Sequence, residues 1–231
     1  MTAAATDFSK RLFICVDIVL DSCSETCGVS PCAASFSAGG QCYNTIKTCL
    51  DLSNYSGTTK TYRYFLKDSL IPKNLCGWDA IVNFRPRYGR LDPLAGLGGG
   101  DRITISLQDF IDDDVLTDPY VNARPWDPRT KSTHFRKLKR RVFYFTKRTL
   151  YIRRGYIEDD GTIDVDAMTS EQYVITSFKA GTNNIWTCTA QDPITPLKNK
   201  KVPAVTNARL DGTMAVGATS CTLAGNYSVL P

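Results

Sequence analysis

Histidine is almost missing: His134 stands alone in 231 residues. That excludes any His-rich metal site and any scheme that needs two histidines. No run of about 18 apolar residues occurs, so no helix is expected to cross a membrane. The opening residues, MTAAATDFSKRLF, lack the long apolar stretch of a secretory signal. The expectation is synthesis in a reducing cytosol, where disulfides are rare. Charge of one sign is modest, at +5, too little to demand a nucleic-acid partner by itself. The one glycine-dense stretch, GLGGG at Gly96–Gly100, has neither the G-x-G-x-x-G spacing nor a Walker lysine. It reads as a surface loop. No Rossmann fingerprint, paired-carboxylate motif or nucleophile motif stands out, and no catalytic residue is assigned. Hydrophobic residues at 42% and charged residues at 22% are ordinary for a globular chain, which argues against disorder.

Cysteine is what the chain has in excess. Five of nine fall between Cys23 and Cys49: Cys23, Cys27, Cys32, Cys42 and Cys49. The residues between them are small and polar, with Gly28, Pro31, Gly39 and Gly40. A segment of this size has no core of its own, and such units usually need a staple of disulfides or metal. Disulfides fit poorly with a reducing compartment and an odd number of thiols. Zinc needs two thiolates from a knuckle with two to four residues between them, a spacing that only Cys23/Cys27 and Cys27/Cys32 approach. A four-iron, four-sulfide (4Fe-4S) cluster presents four separated corners to four thiolates, so wider loops fit. Cys23, Cys32, Cys42 and Cys49 are separated by eight, nine and six residues, which suits wrapping a cube. They are the expected ligands, with Cys27 in reserve and zinc as the alternative metal.

The stretch GQCYNTIKTCLDLSNY, preceded by Cys-x8-Cys, resembles the cysteine motif of phage tail hub proteins. These include the hub of gene transfer agents and the tail-tip protein L family of phage lambda. The likeness extends to about residue 200, but its specific part is the cysteine stretch. In the lambda family the four cysteines lie near the C-terminus; here they lie near the N-terminus. The resemblance implies a β-barrel or sandwich hub domain carrying an iron–sulfur cluster. It also implies a homotrimeric ring in a virion tail tip or baseplate, assembled in the host cytoplasm. Its partners would be the distal tail ring, the central fibre and the tape measure, with DNA passing through the channel.

Along the chain, period-two alternation marks strands. In RLFICVDIVLD, Leu12, Ile14, Val16, Ile18 and Leu20 form one row, and Cys15 faces the other way as a small packed residue. TYRYFLKD places Tyr62, Tyr64 and Leu66 on one side. GWDAIVNFRP alternates Trp78, Ala80, Val82 and Phe84. DRITISLQ alternates Ile103, Ile105 and Leu107. Asp109, Asp112, Asp113 and Asp114 then read as a solvated acidic turn, since their spacing does not match a calcium loop. Residues 117–133 are irregular around Pro119, Pro125 and Pro128. STHFRKLKRRVFYF is the one helix, capped by Ser132 or Thr133. Phe135, Leu138 and Val142 lie on its apolar face, with Lys137, Lys139 and Arg140 opposite. A strand, a hairpin at Asp160-Gly161 with a short return strand, and two further strands complete a meander, with Cys188 packed in the last. Weak strand character returns at Ser220–Leu223.

The expected class is therefore mainly β (α+β). The expected organisation is a tail and first strand over 1–20, a cysteine-rich insertion over 21–59 and a β-rich domain over 60–197 with its helix near 133–145. Residues 198–231 would be a linker and C-terminal arm, or the start of a next domain. Open sheet edges are expected to pair with copies or neighbours. A structural, non-enzymatic hub subunit is the leading reading. The alternatives are an iron–sulfur redox protein, or a basic nucleic-acid-binding module using Arg136–Arg141 and Lys147–Arg154.

Overall fold

Alternating apolar residues do build strands here, and the strands close on themselves. The computed structural model describes residues 11–34, 41–87 and 101–193, and the backbone of two short strands at 209–210 and 223–224. Two compact units divide the chain, 1–195 and 196–231. The first contains β1 (Arg11–Cys23), β2 (Gly57–Leu66), β3 (Trp78–Arg87), β4 (Arg102–Gln108), α1 (His134–Arg141), β5 (Thr149–Ile157), β6 (Thr169–Ala180) and β7 (Ile185–Gln191). The second contains β8 (Arg209–Leu210) paired antiparallel with β9 (Leu223–Ala224). Of the stretch Ser220–Leu223, the first three residues lie outside the described residues, as do Gly96–Gly100 and Cys221.

The protein is mainly β. Its seven long strands form a closed barrel in the order β1-β2-β3-β4-β7-β6-β5. β1 pairs with β2 on one side and with β5 on the other. Among the described residues the barrel therefore lacks the open edges expected from sequence, because closure uses them. All pairings are antiparallel except β2–β3, a short parallel one from Tyr64/Trp78 to Leu66/Ile81. Residues 67–77 make the crossover that a parallel pair requires. Gly77 closes it at a point where a Cβ would lie 2.6 Å from the Arg63 carbonyl oxygen, so no larger residue fits without a shift.

Inside the barrel, Val16, Ile18 and Leu20 of β1 meet Tyr62 and Tyr64 of β2 and Ile103, Ile105 and Leu107 of β4. Cys188 is buried in the same core. Burial pushes its thiol up to about 12, as it does that of Cys15. A second apolar layer covers part of the outer face, where Phe13, Cys15, Phe65, Ile157, Ile163 and Met168 pack together under Leu75 of the crossover. Asp17, fully buried on that face, accepts hydrogen bonds from Arg63 of β2 (2.7 and 2.8 Å) and Arg153 of β5 (2.9 Å).

Four strand expectations change. A register shift between Ile81 and Asn83 puts Ala80 and Ile81 both in the core and turns Val82 out to solvent. A similar shift at Phe65/Leu66 exposes Leu66, and Leu12 is exposed at the start of β1. The return strand after Asp160-Gly161 shrinks to a single bridge between Ile157 and Ile163.

α1 drives Phe135, Leu138 and Val142 into the barrel core. Phe135 touches Tyr64 of β2, Phe178 of β6 and Trp186 of β7 (ring centroids 5.4–6.1 Å apart), so its ring sits between opposite walls. Thr133 is the N-cap residue, but its side chain does not cap the helix. The cap comes from Asp109, whose Oδ1 accepts from the Phe135 N–H at 3.0 Å and whose Oδ2 accepts from Thr133 and Trp186.

The acidic turn is not solvated. Asp109, Asp112, Asp114 and Asp118 are buried, and only Asp113 is substantially open. Lys137 is correspondingly not on a solvated face: it is buried against Asp114 at 2.7 Å, beside Arg141 at 2.6 Å from the same carboxylate. Asp112 accepts from His134 Nδ1 at 2.8 Å, and His134 Nε2 meets the Tyr64 hydroxyl at 3.0 Å. The lone histidine thus links the acidic segment to the barrel wall.

Candidate metal centre in the cysteine insertion

β1 ends at Cys23 and β2 begins at Gly57, and these two residues are paired. The chain between them leaves one strand pair and returns to it. Cys23 N–H donates to the Asn44 carbonyl at 2.7 Å, and Ser24 N–H to the Ser56 carbonyl at 2.9 Å. The Tyr55 hydroxyl reaches back to the Ser22 carbonyl at 3.0 Å. A tight turn follows, with Val29 N–H donating to Thr26 and Cys32 N–H to Val29. Gly28 occupies the left-handed region (φ 80°), which suits glycine.

Cys27, Cys32 and Cys42 form a buried cluster with Ala34, and Tyr120 packs on it. Burial, then neighbouring Cys42 and Cys32, push the Cys27 thiol up to about 12. Burial also raises Cys49, with Cys42, Cys23 and Cys32 adding to the shift. Cys27 therefore lies within electrostatic reach of Cys42 and Cys32, and Cys49 within reach of Cys42, Cys23 and Cys32. Cys27, Cys32 and Cys42 form the interior of this group, and Cys23 and Cys49 its half-buried rim. The backbone supplies a donor: Asn44 N–H lies 3.4 Å from Cys42 Sγ. Among the described residues no three Cys, His, Asp or Glu side chains are placed to hold a single metal ion, and all eight described cysteines are free.

Crowded thiols resist a second negative charge when only protons compensate it. A bound cation inverts that preference, since a coordinating thiol is deprotonated outright. The donor set is all sulfur, a chemistry that an iron–sulfur cluster and a zinc ion both accept. In donor chemistry the residues fit the iron–sulfur group expected from sequence, and equally its zinc alternative. Cys15 and Cys188 lie in the barrel layers and Cys76 is exposed at the crossover, so none of them joins the group.

Other side chains brace the site, and sequence reasoning did not find them. The Tyr120 hydroxyl accepts from Cys27 N–H at 2.7 Å. Arg124 donates to the Cys42 carbonyl while its Nε pairs with buried Asp118 at 2.9 Å. The guanidinium groups of Arg124 and Arg141 both lie over the Tyr43 ring, at 4.3 and 4.1 Å. Thr45 donates to the Arg141 carbonyl at 2.6 Å. The contacts to the insertion span 81 to 98 residues of chain, so no local pattern signals them.

Asp51 pins the other wall. Its carboxylate accepts from the Asn54 side chain, the Ala33 N–H (2.8 Å) and the Ser53 hydroxyl. These bonds, that from Asn54 foremost, hold its carboxyl down at about 2. A depressed carboxyl contributes stability above its ordinary value, and the contribution fades as pH falls through the lowered one. The expected result is an Asp51 side-chain titration midpoint near 2 by NMR, with the insertion loosening over the same interval. A midpoint at the ordinary carboxylate value would remove this anchor.

No protein-family model and no curated protein sequence matches the chain.

Proposed function

We propose that the chain is a structural hub subunit of a phage or phage-like tail tip or baseplate, with a 4Fe-4S cluster stapling the cysteine insertion to the barrel. The observation that carries this reading is the gathering of five cysteines in a segment that has no other core, docked through Tyr120 and Arg124 on the barrel's own loop. Cys23, Cys32, Cys42 and Cys49 remain the proposed ligands. Cys27, buried with Cys32 and Cys42, is the reserve ligand for one corner.

The hub itself rests on the motif's likeness to tail hub proteins and on a small β-barrel carrying one helix, the kind of module expected to ring a channel. The partners are further copies of the chain in a trimer, the distal tail ring, the central fibre and the tape measure. With the barrel closed, copies would meet through loops and strand faces rather than by strand addition. The site of action is the virion tail, after assembly in the host cytoplasm.

The test is iron, sulfide and zinc content of protein purified without oxygen, together with its visible spectrum and its mass in solution. Expected are about four irons and four sulfides per chain, with broad absorption near 400 nm. Cys42→Ser should lose the colour and Cys76→Ser should keep it. One zinc per chain and no colour would replace the cluster by zinc and leave the staple. Neither metal would remove the metal reading. A strictly monomeric protein that forms no ring with tail components would remove the hub.

A further inference from the structure

Beside the cysteine insertion lies a cleft of about 320 Å³, walled by the insertion at Tyr43 on one side and by α1 on the other. Four cations face it, Lys131, Lys137, Arg140 and Arg141, against one carboxylate, Asp114. Lys137 and Arg141 are almost fully buried and share that carboxylate at 2.7 and 2.6 Å. The nearby Asp112 is engaged by His134 and the Trp78 indole, and Asp118 by Arg124. Lys137 also donates to the carbonyls of Asp112 (2.7 Å) and Pro128 (3.1 Å), and Arg141 to Thr117, so both buried cations are already engaged. Lys131 and Arg140 stand exposed at the rim, with no carboxylate in ion-pair range among the described residues.

A cleft with low-dielectric walls focuses the field of its lining charges into the open volume. A bound oxyanion would pair with Lys131 and Arg140 at the rim. The flat guanidinium fork and the lysine ammonium match tetrahedral phosphate oxygens with charge-assisted hydrogen bonds. The cleft is also large enough for a small ligand. We propose that this cleft between the cysteine insertion and α1 is a binding site for a phosphate group, carried either by a free phosphate ester or by a nucleic-acid backbone. The inference stands whether or not the chain is a tail hub, since it uses neither the cluster nor the assembly. Occupancy would also tie the insertion to the helix, because both walls would hold one anion.

Isothermal titration of the full chain with inorganic phosphate, a nucleoside monophosphate and a single-stranded DNA oligomer tests it, at low and at physiological salt. The expected result is saturable binding of at least one probe, one site per chain. It should weaken about tenfold or more in the Lys131→Ala/Arg140→Ala variant, a loss of about 1.4 kcal/mol or more. Both residues are exposed, so the variant should melt like the parent. Tightest binding by the monophosphate would identify a free ester as the ligand. Tightest binding by the oligomer, falling steeply with salt, would identify a strand. No saturable binding by any probe, or binding unchanged in the double variant, would overturn the proposal.

Discussion

Asp114→Asn is expected to lower the stability of the barrel by about 3 kcal/mol or more, a large part of the 5–15 kcal/mol typical of a folded domain. The carboxylate is buried between Lys137 and Arg141. Asparagine keeps the shape and tolerates the positive φ of 63° at this position, so the loss isolates the charge. Removing it leaves two buried cations facing each other across a neutral amide. Asp113→Asn is the control: Asp113 is half-exposed, and its pair with Arg129 at 3.6 Å is open to water, so its loss should stay within about 1 kcal/mol. Urea midpoints at unchanged slope measure both. A midpoint for Asp114→Asn close to the parent's would mean that water reaches this carboxylate. Replacing all three residues by apolar ones of similar volume should recover much of the loss, since the cost lies in the unmatched charge and not in the absence of the pair.

The same residues mark where sequence reading stops. Alternation in β4 pointed Ile103, Ile105 and Leu107 inward, and the barrel uses all three. The apolar face of α1 was equally plain, because period and burial are local properties. The acidic run carried no such signal. Its burial depends on Lys137, Arg141 and His134, which arrive 22 to 27 residues later, and on the Trp186 indole 77 residues away. A chain of carboxylates looks solvated until its partners are placed. Val82 failed for a different reason: a bulge turns it out to solvent while Ala80, Ile81 and Phe84 pack on the core, and no residue type announced it. The closed topology was likewise hidden, since the pairing of β1 with β5 joins residues more than 130 apart. For the cysteine insertion, the sequence supplied the thiols and their spacing. The bracing by Tyr120 and Arg124, and the interior place of Cys27, required the fold.

Phe135→Ala is expected to cost about 3–5 kcal/mol, the range for a large buried aromatic cut back to a methyl group. Phe135 is fully buried, and its ring meets Tyr64, Phe178 and Trp186 from three strands. The cavity left behind has walls fixed by the barrel, so little collapse can fill it. Phe135→Leu should cost distinctly less, because most of the volume remains. Phe143→Ala, at a ring 57% exposed, should cost little. Urea midpoints decide; a loss under about 1 kcal/mol for Phe135→Ala would mean that the barrel interior repacks. The larger consequence is coupling. An eight-residue helix has little stability of its own. α1 is held on one face by Phe135 in the core and on another by Lys137 and Arg141 against Asp114. Loosening either face frees the helix from both, so the double variant Phe135→Ala/Asp114→Asn should lose less than the sum of its parts. A strictly additive pair would show that the two faces are anchored independently. It would also show that the cleft beside the cysteine insertion keeps its shape when the barrel core is disturbed.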